Sequence, residues 1–142
     1  LEEPLTLIKK KRQIKTIKLF EDSHIQFDLP ENMTEPHNVT IEVVEYLRKK
    51  DTTIIIDARN EDDYKNGHIK GSINIPFDYY EDFEYLLNDV NLESIVIIYC
   101  GGGECSLSID LADYLMQERG FFNVLIYEGG WPEWKESGYE IE

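Results

Sequence analysis

Three short apolar runs stand out along the chain: Thr53–Asp57 (TIIID), Ile95–Tyr99 (IVIIY) and Val124–Tyr127 (VLIY). They are continuous rather than alternating, which is the pattern of a strand covered on both faces. Between and around them the spacing is helical. Val43, Val44 and Leu47 form one stripe of a helix predicted over Ile41–Lys50, with the Thr40 hydroxyl placed to cap it. Leu111, Ala112, Leu115 and Met116 share a face of a helix predicted over Ser106–Arg119, and Gly120 stands just past its end. Shorter signals fill the gaps. Glu61–Lys65 is a helical turn ended by Gly67, Ile73–Ile75 is a strand stopped by Pro76, Asp78–Leu87 is helical, and Trp131–Ser137 is the last helix. Strands alternating with helices indicate an α/β fold, a mainly parallel central sheet with helices on both faces.

The front of the chain reads differently. Residues 1–13 are polar and irregular, Ile14–Phe20 (IKTIKLF) suits an edge strand, and residues 21–38, with Pro30 and Pro36, read as a long loop. This divides the chain into a basic segment, edge strand and loop over 1–38 and a domain over 39–142.

Charge sharpens that division. The net charge of −15 splits into +4 over residues 1–20, where Lys9, Lys10, Lys11, Arg12, Lys15 and Lys18 face Glu2 and Glu3, and −19 over the rest. An acidic body of that size repels phosphate backbones, so no nucleic-acid partner is expected. The basic run has two readings: a solvated charge run on an edge strand, or the flank of a membrane segment lying upstream. The chain starts with Leu, which fits a processed product or a piece of a longer protein. An upstream membrane segment would place this domain on the cytoplasmic side, tethered through the missing region. No apolar run reaches the length of about 18 residues that a spanning helix needs.

Two cysteines remain, Cys100 and Cys105. They lie too close in sequence to staple a small secreted fold. Without a nearby His pair they also fall short of a four-ligand zinc site, so no metal and no cofactor is expected. Cys100 directly follows IVIIY, at the carboxyl end of a predicted strand, where ligands bind in open α/β sheets. Gly101, Gly102, Gly103 and Glu104 follow it, then Cys105, Ser106 and a helix. Three glycines allow a tight turn with N–H groups pointing inward, and a helix N-terminus adds positive potential. A cysteine there is expected to form a thiolate readily. The plainer alternative is a buried, inert cysteine.

The wider pattern resembles the rhodanese family over residues 54–142. Asp57, Arg59, Tyr64, Gly67, His68, Ile69, Gly71 and Pro76 in IIIDARNEDDYKNGHIKGSINIP match its early motif. IVIIYC supplies the strand and cysteine, and NVLIYEGGWPEWKESGY places Gly129, Gly130, Trp134 and Gly138 in order. The resemblance implies a sulfurtransferase in which Cys100 carries a sulfane sulfur as a persulfide. The sulfur comes from a small donor, thiosulfate or a persulfide, and passes to a thiol or cyanide. The N–H groups of residues 101–105, continuing to Ser106, would hold the anionic outer sulfur. Asp57 is expected to hold the fold, His68 to be a satisfied turn residue, and Trp131 and Trp134 to be core or pocket wall. Arg59 either pairs with an acidic neighbour or helps to attract an anionic donor.

The sequence departs from the family at the loop. Counted forward from Cys100, the usual last loop position is Cys105. Counted backward from Gly120-Phe121, it falls near Ser108, so that Cys105 lies inside a lengthened loop. The second count is preferred, because consecutive glycines disfavour a helix. No Arg lies between Cys100 and Arg119, so the oxyanion grip of the phosphatase relatives is missing, and a persulfide suits the site better than thiosulfate. Cys105 either resolves a persulfide on Cys100 or closes the loop as a small apolar residue. Two further alternatives are a non-catalytic module that binds a partner or senses redox state, and a thiol–disulfide switch using both cysteines.

Overall fold

The computed structural model describes residues 16–17, 29–103 and 105–142. Among these residues six strands form one sheet: β1 (Thr16–Ile17), β2 (His37–Val39), β3 (Thr53–Asp57), β4 (Ile73–Asn74), β5 (Ile95–Tyr99) and β6 (Asn123–Tyr127). Their spatial order is β1-β2-β6-β5-β3-β4, and every neighbouring pair is parallel. Among the described residues five α-helices accompany them: α1 (Ile41–Leu47), α2 (Glu61–Asn66), α3 (Tyr80–Phe83), α4 (Leu107–Gln117) and α5 (Gly130–Ser137).

The three continuous apolar runs are the three inner strands, and side-chain alternation divides their residues between two cores. On one face Ile56, Val96, Ile98, Val124 and Ile126 pack against Leu111, Ala112 and Leu115 of α4 and against Phe77, Tyr80 and Phe83. On the other, Ile55, Ile97, Tyr99, Leu125 and Tyr127 pack against Val43, Val44 and Leu47 of α1 and Trp134 of α5. Both faces of the central strands are therefore dry, which is why they could dispense with polar alternation.

Several elements differ from the sequence expectation. The helix after Thr40 ends at Leu47 rather than Lys50. Thr40 is the N-cap by position, with extended backbone at φ −78 and ψ 164, but its side chain makes no capping bond. Its buried hydroxyl has no hydrogen-bond partner among the described residues; the carbonyl does the work, accepting from Val43 and Val44 N–H. The loop reading of 21–38 meets a strand at His37–Val39. The helix expected over Asp78–Leu87 is a 3-10 turn (Phe77–Tyr79), one turn of α-helix and a second 3-10 turn (Glu84–Leu87). Of the strand expected over Ile14–Phe20, Thr16–Ile17 pairs at the sheet edge, and the rest lies outside the described residues. No helix among the described residues is long and apolar enough to cross a membrane.

Candidate active site

The carboxyl ends of β3 and β5 lie side by side, with Asp57 in register with Tyr99. Two different structures grow from them. After β3 comes a polar hub. Asp57 is fully buried and accepts from the Arg59 backbone N–H at 2.9 Å, from Arg59 Nε at 3.1 Å and from Arg59 Nη2 at 2.8 Å. It also accepts from the Tyr99 hydroxyl at 2.7 Å, and that hydroxyl in turn accepts from Ile69 N–H at 3.1 Å. Arg59 Nη2 makes a second bond, to the Gly67 carbonyl at 2.6 Å. Burial works against the Arg59 charge, but the hydrogen bond and negative charge of Asp57 outweigh it and raise the guanidinium above its ordinary range. Burial, followed by the charge of Asp57, pushes the Tyr99 phenol well above its ordinary range. This hub is a fold-holding assembly, as the buried carboxylate needs partners.

His68 is likewise satisfied. Its Nδ1 lies 2.7 Å from the Tyr64 carbonyl and its Nε2 3.3 Å from a Glu142 carboxylate oxygen, and the ring stacks on Tyr64. His37 in β2 meets the Glu35 carbonyl, and His24 lies outside the described residues. Trp134 is core, while Trp131 is half-buried and lies over the Arg59 guanidinium at 5.0 Å.

After β5 the chain enters the cysteine loop. Cys100 is 2% exposed and belongs to the core under α4, whereas Cys105 is half-buried. α4 begins at Leu107, so Cys105 sits in the loop and not in the helix. The loop turns through Gly102 at φ 79 and Gly103 at φ 62, conformations that a side chain would strain. Cys105 N–H donates to the Gly102 carbonyl at 3.2 Å, so that N–H closes the turn and is not aimed at the loop centre. Gly101 and Gly103 are exposed, Ser106 is exposed at the helix start, and Glu104 lies outside the described residues.

Cys100 and Cys105 are joined by a disulfide, with Cα atoms 6.5 Å apart. Ser108, 2% exposed on the first turn of α4, places its Oγ 3.6 Å from Cys100 Sγ. A disulfide sulfur carries no hydrogen, so the hydroxyl is the donor. The structure thus brings Cys100, Cys105 and Ser108 together and leaves Arg59 occupied in the neighbouring hub.

Sequence reasoning missed how the loop is held from outside. Trp131 N–H donates to the Cys100 carbonyl at 2.9 Å. Gly130, at φ 64, lets α5 approach so closely that a Cβ there would stand 2.5 Å from the Cys100 carbonyl oxygen and 2.6 Å from Gly102 N. The Gly129-Gly130-Trp131 run was a signal, but only of motif order; its contact with the loop is tertiary.

A model of the rhodanese-like domain matches residues 40–137. A putative mitochondrial thiosulfate sulfurtransferase of Schizosaccharomyces pombe is 30% identical over 116 residues, covering 70% of this chain and 80% of that protein. A tRNA uridine(34) hydroxylase of Protochlamydia amoebophila is 32% identical over 108 residues, which is 72% of this chain but only 33% of the relative's length. Among solved structures, a thiosulfate sulfurtransferase from Pseudomonas aeruginosa superposes with a TM-score of 0.58 at 25% identity, over 76% of this chain and 20% of that one. The match reaches from the start of α1 to the end of α5, well over half of the chain, and this protein belongs to the rhodanese-like domain family.

Proposed function

We propose that this domain is a sulfurtransferase that carries a sulfane sulfur as a persulfide on Cys100. The observation that carries the reading is the setting of that sulfur. It stands at the carboxyl end of a central parallel strand, beside the Ser108 hydroxyl, beneath a glycine loop that leads into a helix N-terminus. Hydroxyl and helix dipole both favour an anionic sulfur over a neutral thiol. A thiolate on Cys100 attacks the outer sulfur of a donor, the donor's remainder leaves, and a thiol or cyanide then collects the sulfur.

The donor that suits the site is a small persulfide. Arg59, a cation that an anionic donor would use, is spent on Asp57 and the Gly67 carbonyl. The relatives named as sulfurtransferases support the reaction class. The tRNA uridine hydroxylases are about three times as long as the matched region, so their whole activity reaches beyond a domain of this kind. The test is intact-protein mass spectrometry of the reduced chain after incubation with cysteine persulfide or thiosulfate. Wild type takes up the donor's sulfur, seen as added mass or as released sulfide, and Cys100→Ser shows neither, because a hydroxyl cannot replace the thiolate. Undiminished loading of the serine variant would remove Cys100 from the mechanism.

A further inference from the structure

We propose that Cys105 discharges the persulfide on Cys100 internally, releasing hydrogen sulfide ion and leaving the Cys100–Cys105 disulfide. This rests on Cys100 as the sulfur carrier and adds a second reaction to it: reduction of the carried sulfur by the domain's own thiol.

Three observations support it. The chain has two cysteines in all, and the loop holds both. Their Cα atoms stand 6.5 Å apart and their sulfurs are bonded, so the backbone as folded already permits the product of the step. Cys105 is half-buried in the loop ahead of α4 and packs against the same core cluster that holds Cys100, which keeps the two sulfurs on one side of the loop. Gly102 and Gly103 supply the left-handed turns that bring it round, and the Cys105 N–H bond to the Gly102 carbonyl fixes the turn. A thiol held at bonding distance acts at an effective concentration far above that of dissolved thiols.

The step balances without an outside oxidant. Cys105 sulfur attacks the inner sulfur of the persulfide, Sγ of Cys100. The Sγ105–Sγ100 bond forms and the bond from Sγ100 to the outer sulfur breaks. The outer sulfur leaves with the bonding electron pair and takes the proton of the Cys105 thiol, departing as HS⁻. Cys105 is oxidised and the sulfane sulfur is reduced. A small dithiol or a pair of thiols then reduces the disulfide, and the loop can load again. The Ser108 hydroxyl donates to Cys100 Sγ in the disulfide, so the product state keeps a polar contact for the attacked sulfur.

The experiment uses the full chain, reduced and freed of reductant, with cysteine persulfide as donor. Released sulfide is measured against a Cys100→Ser blank, and the intact mass is taken before and after alkylation. Wild type is expected to release close to one sulfide per chain, to end two hydrogens lighter than the reduced protein, and to accept no alkylating agent. Cys105→Ser and Cys105→Ala are expected to load and keep the extra sulfur, with sulfide release at least tenfold slower. Wild type that holds its sulfur as long as these variants overturns the inference and leaves the carrier reading intact. Sulfur mapped to Cys105 with Cys100 free overturns the carrier reading and the inference with it. Absence of loading in wild type and both variants overturns the carrier reading itself, and the inference with it.

Discussion

The two loops that leave the carboxyl ends of β3 and β5 start from residues in register, yet they are built on opposite plans. The Asp57 hub is crowded with charge: a buried carboxylate, a guanidinium and a phenol, each bonded to the others or to backbone. Among the described residues the Cys100 loop carries few side chains, with three glycines, two cysteines and Ser106, and the Ser108 hydroxyl reaches Cys100 from α4; Glu104 lies outside the described residues. A carboxylate and a phenol of the kind that serve in acid–base catalysis are in the hub, and there they are consumed by their partners. Reactivity is expected where side chains are few, because a sulfur anion needs backbone dipoles and room for a second sulfur rather than a charged neighbour. A satisfied network holds a fold; an under-filled loop leaves a nucleophile something to do.

This contrast can be broken most forcefully at Asp57. Asp57→Ala strands the Arg59 charge and the Tyr99 hydroxyl in a dry site, and removing one partner of a buried pair costs about 3–5 kcal/mol. Urea unfolding should show that loss, while the fraction that remains folded still loads sulfur on Cys100. A folded variant unable to load would mean that the hub takes part in the chemistry and that the two regions are not separate.

Gly130 tests the seam between them and α5. A methyl group at φ 64, set against the Cys100 carbonyl and Gly102 N, forces the loop or the helix to move. Gly130→Ala is expected to cost about 1–3 kcal/mol of stability and to slow loading as well, since the displaced atoms belong to the loop. Stability lost with an unchanged loading rate would show that the loop geometry tolerates the shift.

The smallest stability effect is expected from Ser108→Ala, which removes one hydroxyl worth about 1 kcal/mol. Its mark should be chemical. Alkylation of reduced Cys100 at neutral pH is expected to slow several-fold, with the urea midpoint hardly moved. An unchanged alkylation rate would reduce Ser108 to packing.

How much of this was readable beforehand followed from how locally each feature is determined. TIIID, IVIIY and the last strand were legible because burial on both faces leaves no choice but apolar residues. The strand at His37–Val39 was not, because its middle residue makes polar side-chain bonds to parts of the chain far away in sequence. Asn38 Nδ2 donates to the Thr16 hydroxyl, and Asn38 Oδ1 accepts from Glu128 N–H. Those bonds tie β2 to the strands on its two sides, but an Asn there looks like loop chemistry in a sequence. Thr40 was correctly placed as a cap position, yet which atom does the capping depends on a side-chain rotamer that spacing does not encode. In the site, counting back from Gly120 led to Ser108, and three glycines led to a loop reading for Cys105. The hold of Gly130 and Trp131 on the loop was out of reach, because it depends on where α5 returns in space. Tyr99 was read only as the end of an apolar strand, since an aromatic ring in a core gives no sign of where its hydroxyl will point.

The strand order has a bearing on how the molecule comes into being. β2 finds its inner neighbour in β6, where His37 meets Leu125, so the amino-terminal side of the sheet stays unpaired on that edge until nearly all of the domain has been synthesised. Cys100 and Cys105 emerge from the ribosome before β6 and α5, and therefore before Trp131 and Gly130 can press on their loop. Joining them at that stage closes only a very short ring, which removes little freedom from the growing chain. An early oxidation would accordingly do little either to template the sheet or to block it.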